Sequence, residues 1–359
     1  MAINVSIPVK ADEAAEILPS QTGVVTGIEY ADFSNNDVAQ TKQKVQIRLL
    51  GGEFKGETIE LENMLTGNPY YDIKLKKGSR VVLHAESLYD EISYSIEDVK
   101  RSGTLVWLSV LFCGLLIYVG RKKGLYSLVS IVLTIFLITN CLSPMILFGI
   151  KPIVASILVC IVSTAVTMYL VGGFNAKSTS ASLGAILSLL FASILSSIVM
   201  ITAQLTGFTG ENSMFLYTAH PELDFVAITI STMVLATLGA VMDVAMSISS
   251  TINEIYETDN TKTIHELFVS GMNVGRDIIG TMANTLILVY MGGSLPLILL
   301  SGNIDWNKFI NLNQVVTEVA SALIGSIAIV ICVPFTALVA SGLIHKYAKK
   351  AEFDNISIK

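Results

Sequence analysis

Seven apolar runs, near residues 103 to 120, 124 to 148, 152 to 173, 181 to 204, 224 to 248, 278 to 300 and 315 to 342, constrain this chain more than any other feature. Each is long enough to approach or cross a hydrocarbon layer of about 30 Å. A backbone immersed in hydrocarbon must satisfy its own hydrogen bonds, so each run is expected to be an α-helix. Composition points the same way. Hydrophobic residues make up 52% and charged residues 14%, with a mean hydropathy of +0.64, whereas soluble domains carry about 25% charged residues. The expected fold class is an α-helical polytopic membrane protein of about seven transmembrane helices, with the bundle at 103–345 and a tail at 346–359.

Orientation follows from lysine and arginine, which are retained on the cytoplasmic side. Arg121, Lys122 and Lys123 follow the first run, and Lys177, Lys262, Arg276, Lys346, Lys349, Lys350 and Lys359 fall on that same side; Lys151 and Lys308 lie opposite. The expectation is a membrane protein with a cytoplasmic C-terminus and everything before residue 103 outside, against which Lys100 and Arg101 argue weakly. Residues 1–20 read as a tail with no signal core. Export of the roughly one hundred residues before the bundle is therefore expected to depend on a helix upstream of this sequence, the alternatives being that the domain crosses unaided or stays inside.

Residues 21–99 follow a different pattern. Runs such as GVVTGIEY, KVQIRLL, ETIELEN, SRVVLHAES and ISYSIED alternate apolar and polar side chains, with turns at Gly51, Gly52, Gly56, Gly67 and Gly78. About five strands in a small all-β domain, OB-like or SH3-like, are expected. Nucleic acid is not an expected partner: acids and bases alternate without an aromatic stripe, and the pI is about 5.3.

Soluble-type enzymology finds no nucleotide loop, nucleophile elbow or zinc motif here. The four histidines are scattered, so neither a metal nor a cofactor is expected. Cys113, Cys141, Cys160 and Cys332 all lie in apolar runs and read as packing residues. So do Ser188, Ser193, Ser196 and Ser197, which permit close helix approach.

Charge inside the apolar runs is more informative, since an ionisable side chain near the bilayer centre costs at least ~2.5 kcal/mol. At about 100° per residue, Thr232, Ala236, Gly239, Asp243, Ser247, Ser250 and Glu254 share one stripe of the fifth helix. Asn273, Asp277, Gly280, Thr281 and Asn284 share another on the sixth, and the short connection between the helices leads the two stripes to be expected face to face. An amphipathic patch at Ile264, Leu267 and Phe268 suits the cytoplasmic interface. The functional reading is a hydrophilic track in which Asp243 and Asp277 bind a proton or monovalent cation, with Ser247, Thr281 and Asn284 as neutral ligands. The structural reading is a clasp: Arg276 neutralises Glu254 or Asp277, and Asp243 bonds to Asn284 or serine hydroxyls. Gly292, Gly293, Pro296 and Pro334 are expected at kinks or unwound turns.

The segments GAVMDVAMSISSTINEI and ELFVSGMNVGRDIIGTMANTLIL resemble the signature of the bacterial YibE/F family of multipass membrane proteins. The likeness extends over residues 103–345 in helix layout, and the β segment before the bundle is similar to that of longer members. It implies architecture rather than an activity, and draws attention to Asp243, Asn273, Gly275, Arg276, Asp277 and Asn284 because they stand within the motif. A more distant similarity links the Gly239–Asp243 segment and the linker after it to RND permeases and SecD-type membrane cores.

Two function classes remain open at this point. One is a proton- or cation-coupled permease for an unnamed substrate. The other is a non-transporting scaffold or assembly factor whose outer β domain binds an envelope or protein partner. An intramembrane enzyme ranks third, for want of a second catalytic group near Asp243.

Overall fold

The computed structural model describes residues 16–33, 40–52, 54–88 and 91–356. The expected N-terminal tail falls outside these except for its last five positions, as does Lys359. Two compact units divide the chain between Gly114 and Leu115.

The first unit contains five antiparallel strands: β1 Glu16–Phe33, β2 Gln40–Leu49, β3 Thr58–Leu65, β4 Arg80–Leu88 and β5 Glu91–Val99. Their order is β3-β2-β1-β4-β5, and β3 comes close to β5, so the sheet curls into a near-barrel of the OB kind. Strict alternation explains the core. Val45, Ile47 and Leu49 of β2 and Val81, Leu83 and Ala85 of β4 are buried, while Gln46 and Arg48 point outward. Each large aliphatic side chain buried this way contributes about 1.5–3 kcal/mol. Gly23 sits where a Cβ would lie 2.3 Å from Ile47 Cγ2, so close strand approach there requires glycine. Buried Gln43 is satisfied by Asn63, whose Nδ2 donates to Gln43 Oε1 at 2.9 Å and to the Ile73 carbonyl at 2.7 Å.

Helices account for nearly all of the rest: α1 Ser102–Leu137, α2 Ser143–Leu147, α3 Pro152–Gly172, α4 Ala176–Thr202, α5 Glu211–Ala219, α6 Phe225–Thr258, α7 Ile264–Gly293, α8 Leu295–Leu300, α9 Trp306–Ile310 and α10 Asn313–Ile356. Among the described residues, five helices are long and apolar enough to cross a membrane, or six when α7 is joined to the segment that follows it at a 65° bend. The difference from seven lies in the first apolar stretch, Ser102–Leu147, which is helical for 46 residues. A straight helix of that length would reach about 69 Å, more than twice the hydrocarbon thickness. It is not straight. Arg121 adopts φ 49°, ψ −129°, and a Cβ on Gly124 would lie 2.1 Å from the Leu116 carbonyl oxygen. Residues eight apart are separated by about 12 Å in a regular helix, so the chain bends back sharply at the Arg121-Lys122-Lys123 cluster, where the sequence divides two runs.

In the second unit α4, α6 and α10 pack on one another, α3 lies against α4 and α6, and α7 lies against α10 and α6. Glycines set the closest approaches. A Cβ at Gly184 would meet Thr336 Oγ1 at 2.2 Å, and one at Gly275 would meet Val333 Cγ1 at 2.1 Å. The chain breaks helix at Ser294, between Gly293 and Pro296, as the sequence implies; α10 continues through Pro334.

Candidate functional site

Local sequence fixes both helices that carry the polar stripes. Asp224 caps α6 by accepting from the Ala227 amide at 3.0 Å. Thr263 and Glu266 form a reciprocal capping box at the start of α7, which supplies two of its orphan donors with acceptors. The patch at Ile264, Leu267 and Phe268 is thus the first turn and a half of α7, and Leu267 is fully buried in the helical core.

The interior face of α6, including Val241, Val244, Ala245, Ile248 and Ile252, is buried to 0% exposure. Nearly opposite, Thr232, Ala236, Gly239, Asp243, Ser247 and Glu254 are exposed, and Ser250 is partly so. On α7, Gly271 and Gly275 are buried, whereas Asn273, Arg276, Asp277, Gly280, Thr281 and Asn284 are exposed. The stripes therefore exist as the spacing implies, but they lie open on the surface of this unit instead of closing on each other. Other residues make the contact between the helices: a Cβ on Gly271 would touch Ile252, and Thr237 and Leu286 both reach the position of Gly325 on α10. The physical reason is that α7 docks its small residues on α10, which turns its polar side away.

Those contacts also set the relative levels of the two helices. Moving along each by the same number of residues from the Ile252–Gly271 contact brings Asp243 level with Gly280, Ser247 with Arg276 and Gly239 with Asn284. Asp243 lies near the middle of the 34-residue α6. Among the described residues it has no hydrogen-bond or ion-pair partner, and Gly239 and Gly280 have open space beside them. Arg276 donates from Nη1 to Asn273 Oδ1 at 3.0 Å, without an ion pair to Glu254 or Asp277. Thr281 spends its hydroxyl on the Ile278 carbonyl at 3.0 Å. The bonds that the clasp reading requires are not formed within this chain's described residues.

The serines of α4 behave differently. Ser188 donates to Gly184 O and Ser196 to Ala192 O, both at 2.8 Å, so their hydroxyls are satisfied inside their own helix. Cys160 and Cys332 are buried and all four cysteines are free. Sequence reasoning overlooked Gly184, Gly271 and Gly325 as contact points; a stripe of small residues signals close approach without saying to what.

The YibE/F-like protein model matches residues 108–346, well over half of the chain, and the YibE/F family N-terminal domain model matches residues 15–99. The chain belongs to the YibE/F family. The two matches divide where the β strands give way to helices, so this YibE/F protein joins a family-specific β domain to the family's helical region. Its apolar helices fit a membrane protein. No curated protein and no solved structure matches the chain.

Proposed function

We propose that this YibE/F protein is a proton- or cation-coupled permease in the bacterial plasma membrane whose coupling residue is Asp243. One observation carries the reading: an unpartnered carboxylate midway along a membrane-length helix, on a stripe kept small and polar by Gly239 and Ser247. Retaining a carboxylate there without a partner in its own chain is costly, and intramembrane carboxylates are characteristic of ion and proton paths. Asp277, Ser247, Thr281 and Asn284 are the further oxygen ligands of this reading, carried on the exposed faces of the same pair of helices, and no enzymatic step is invoked. The positive-charge asymmetry orients the Lys122 loop and the C-terminus toward the cytoplasm and the β domain outside. Cysteines placed singly at Lys122 and Lys44 test this: impermeant reagent on intact cells should label position 44 and spare 122, and the reverse pattern would refute the orientation.

The deciding experiment is Asp243→Asn, with Asp243→Ala beside it, scored by a flux or growth phenotype together with thermal stability. The amide keeps size and hydrogen bonding but cannot titrate. Loss of activity in a stably folded Asp243→Asn protein is expected. Full activity with unchanged dependence on pH and sodium would favour the second reading, a scaffold or assembly factor for an envelope or protein partner, to which the outward direction of the polar stripes lends support.

A further inference from the structure

We infer that the open polar face of α6 and α7 is covered by the same face of a second copy of the chain, with α6 of each copy set against α7 of the other so that Asp243 meets Arg276 across the interface.

The argument begins with cost. Asp243 lies on an exposed position of α6, a membrane-length apolar helix, and Arg276, Asp277 and Asn284 lie on exposed positions of α7, which reaches that length and apolarity together with the segment after its bend; none has a counter-charge among the described residues. Polar side chains in membrane helices face protein or water rather than lipid. Protein or water must therefore meet this face, and charge decides between protein occupants. An apolar helix or a lipid tail offers Asp243 no counter-charge. A second copy offers Arg276, whose guanidinium is bound in its own chain only to Asn273.

Geometry selects the pairing. Two copies inserted the same way are related by a twofold axis along the membrane normal, so residues at equal depth meet and the interface is self-complementary. Setting α6 against α6 would bring Asp243 against Asp243, a like-charge contact in a low dielectric. Setting α6 against α7 places Asp243 beside Gly280, which has open space where a side chain would stand, and Gly239 beside Asn284. Arg276 lies one helical turn, about 6 Å, from the level of Asp243, a gap that the arginine stem spans. Small residues opposite polar ones are also the usual means of close helix approach in membranes.

The inference shares residues with the permease reading, yet the two fail separately. The test is native mass measurement of the full chain in lipid nanodiscs, with differently tagged copies for pull-down. Wild type is expected to be a dimer. Asp243→Arg alone and Arg276→Asp alone each place like charges at both contacts and should weaken self-association about a hundredfold. Co-expressed, the two variants should pair with each other, because one contact is then reversed and the other is wild type. A pairing inside one chain could not produce rescue between two tagged copies. Should either variant fail to fold, cross-linking of Gly239→Cys in one tagged copy to Asn284→Cys in the other, in a background lacking the native cysteines, gives the same information. A wild-type monomer, or a dimer without the 239–284 cross-link, would overturn the inference while leaving ion-coupled flux untouched. A dimer whose Asp243→Asn form retains flux would sink the permease reading alone.

Discussion

The packed interior of the helical unit and the outward face of α6 and α7 are both polar by sequence, but they handle polarity in opposite ways. Inside, hydroxyls bond back to their own helix: Ser188 to Gly184 O, Thr237 to Met233 O and Ser321 to Thr317 O. Between helices, Ser180 and Ser249 are joined at 2.6 Å, and Ser249 also donates to the Lys177 carbonyl at 2.7 Å. On the outward face Asp243, Asp277 and Asn284 have no such partners among the described residues. A hydroxyl reaches the carbonyl one turn back and is thereby made compatible with an apolar surrounding. A carboxylate has no donor there to accept from, since every mid-helix amide is already engaged. Polar residues of the first kind report packing, and those of the second kind report something beyond the fold of one chain.

The largest expected effect breaks the interior. Gly184→Leu forces a side chain into Thr336 of α10, where even a Cβ would stand 2.8 Å from the Thr336 Cα. Overpacking of this kind typically costs about 1–3 kcal/mol and more against backbone, so thermal unfolding in detergent should show a large loss. Gly239→Leu meets open space within one chain, so its cost is confined to the proposed contact between copies and should fall well below that of Gly184→Leu. An equal loss from both substitutions would erase the distinction between the faces.

An intermediate effect sharpens it. Ser188→Ala deletes a hydroxyl that donates to the Gly184 carbonyl of its own turn and also meets the weakly bonding Cys332 thiol, and is expected to cost no more than about 1 kcal/mol, read from the same melts. A loss several times larger would mean that the interior serines serve more than packing.

The smallest effect belongs to a carboxylate that does have partners. Asp98 accepts from Arg101 Nη1 at 2.5 Å and from the Val99 amide at 2.7 Å. The Arg101 hydrogen bond, then that of Val99, hold its pKa below the ordinary carboxylate value, overcoming a smaller effect of burial. Because the folded value is depressed, this contribution is present above the unfolded pKa and is lost as pH falls through the folded one. Both groups are largely exposed, so the effect is small. Arg101→Gln should raise the pH at which amide protection at Val99 is lost, measured by hydrogen exchange. An unchanged profile would show that the guanidinium does not hold this carboxylate.

Much of this architecture was written in local pattern. Alternation in KVQIRLL selects Val45, Ile47 and Leu49 for the barrel interior, because the side-chain period of a strand is two. The cations at 121 to 123 mark the bend in the first apolar stretch, and the 100° helical period places Asp243 in line with Gly239 and Ser247. What periodicity specifies is which residues share a face; it does not specify what that face meets. In water a polar stripe points to solvent, but in a membrane it points to whatever else is polar, and that depends on helices distant in sequence. Gly275 and Gly280 read alike in the chain, yet Val333 and α10 make the first a buried contact and leave the second open. Barrel closure between β3 and β5 and the outward direction of Asp243 were likewise decided only by tertiary packing, since both arise from contacts between segments that no local spacing connects.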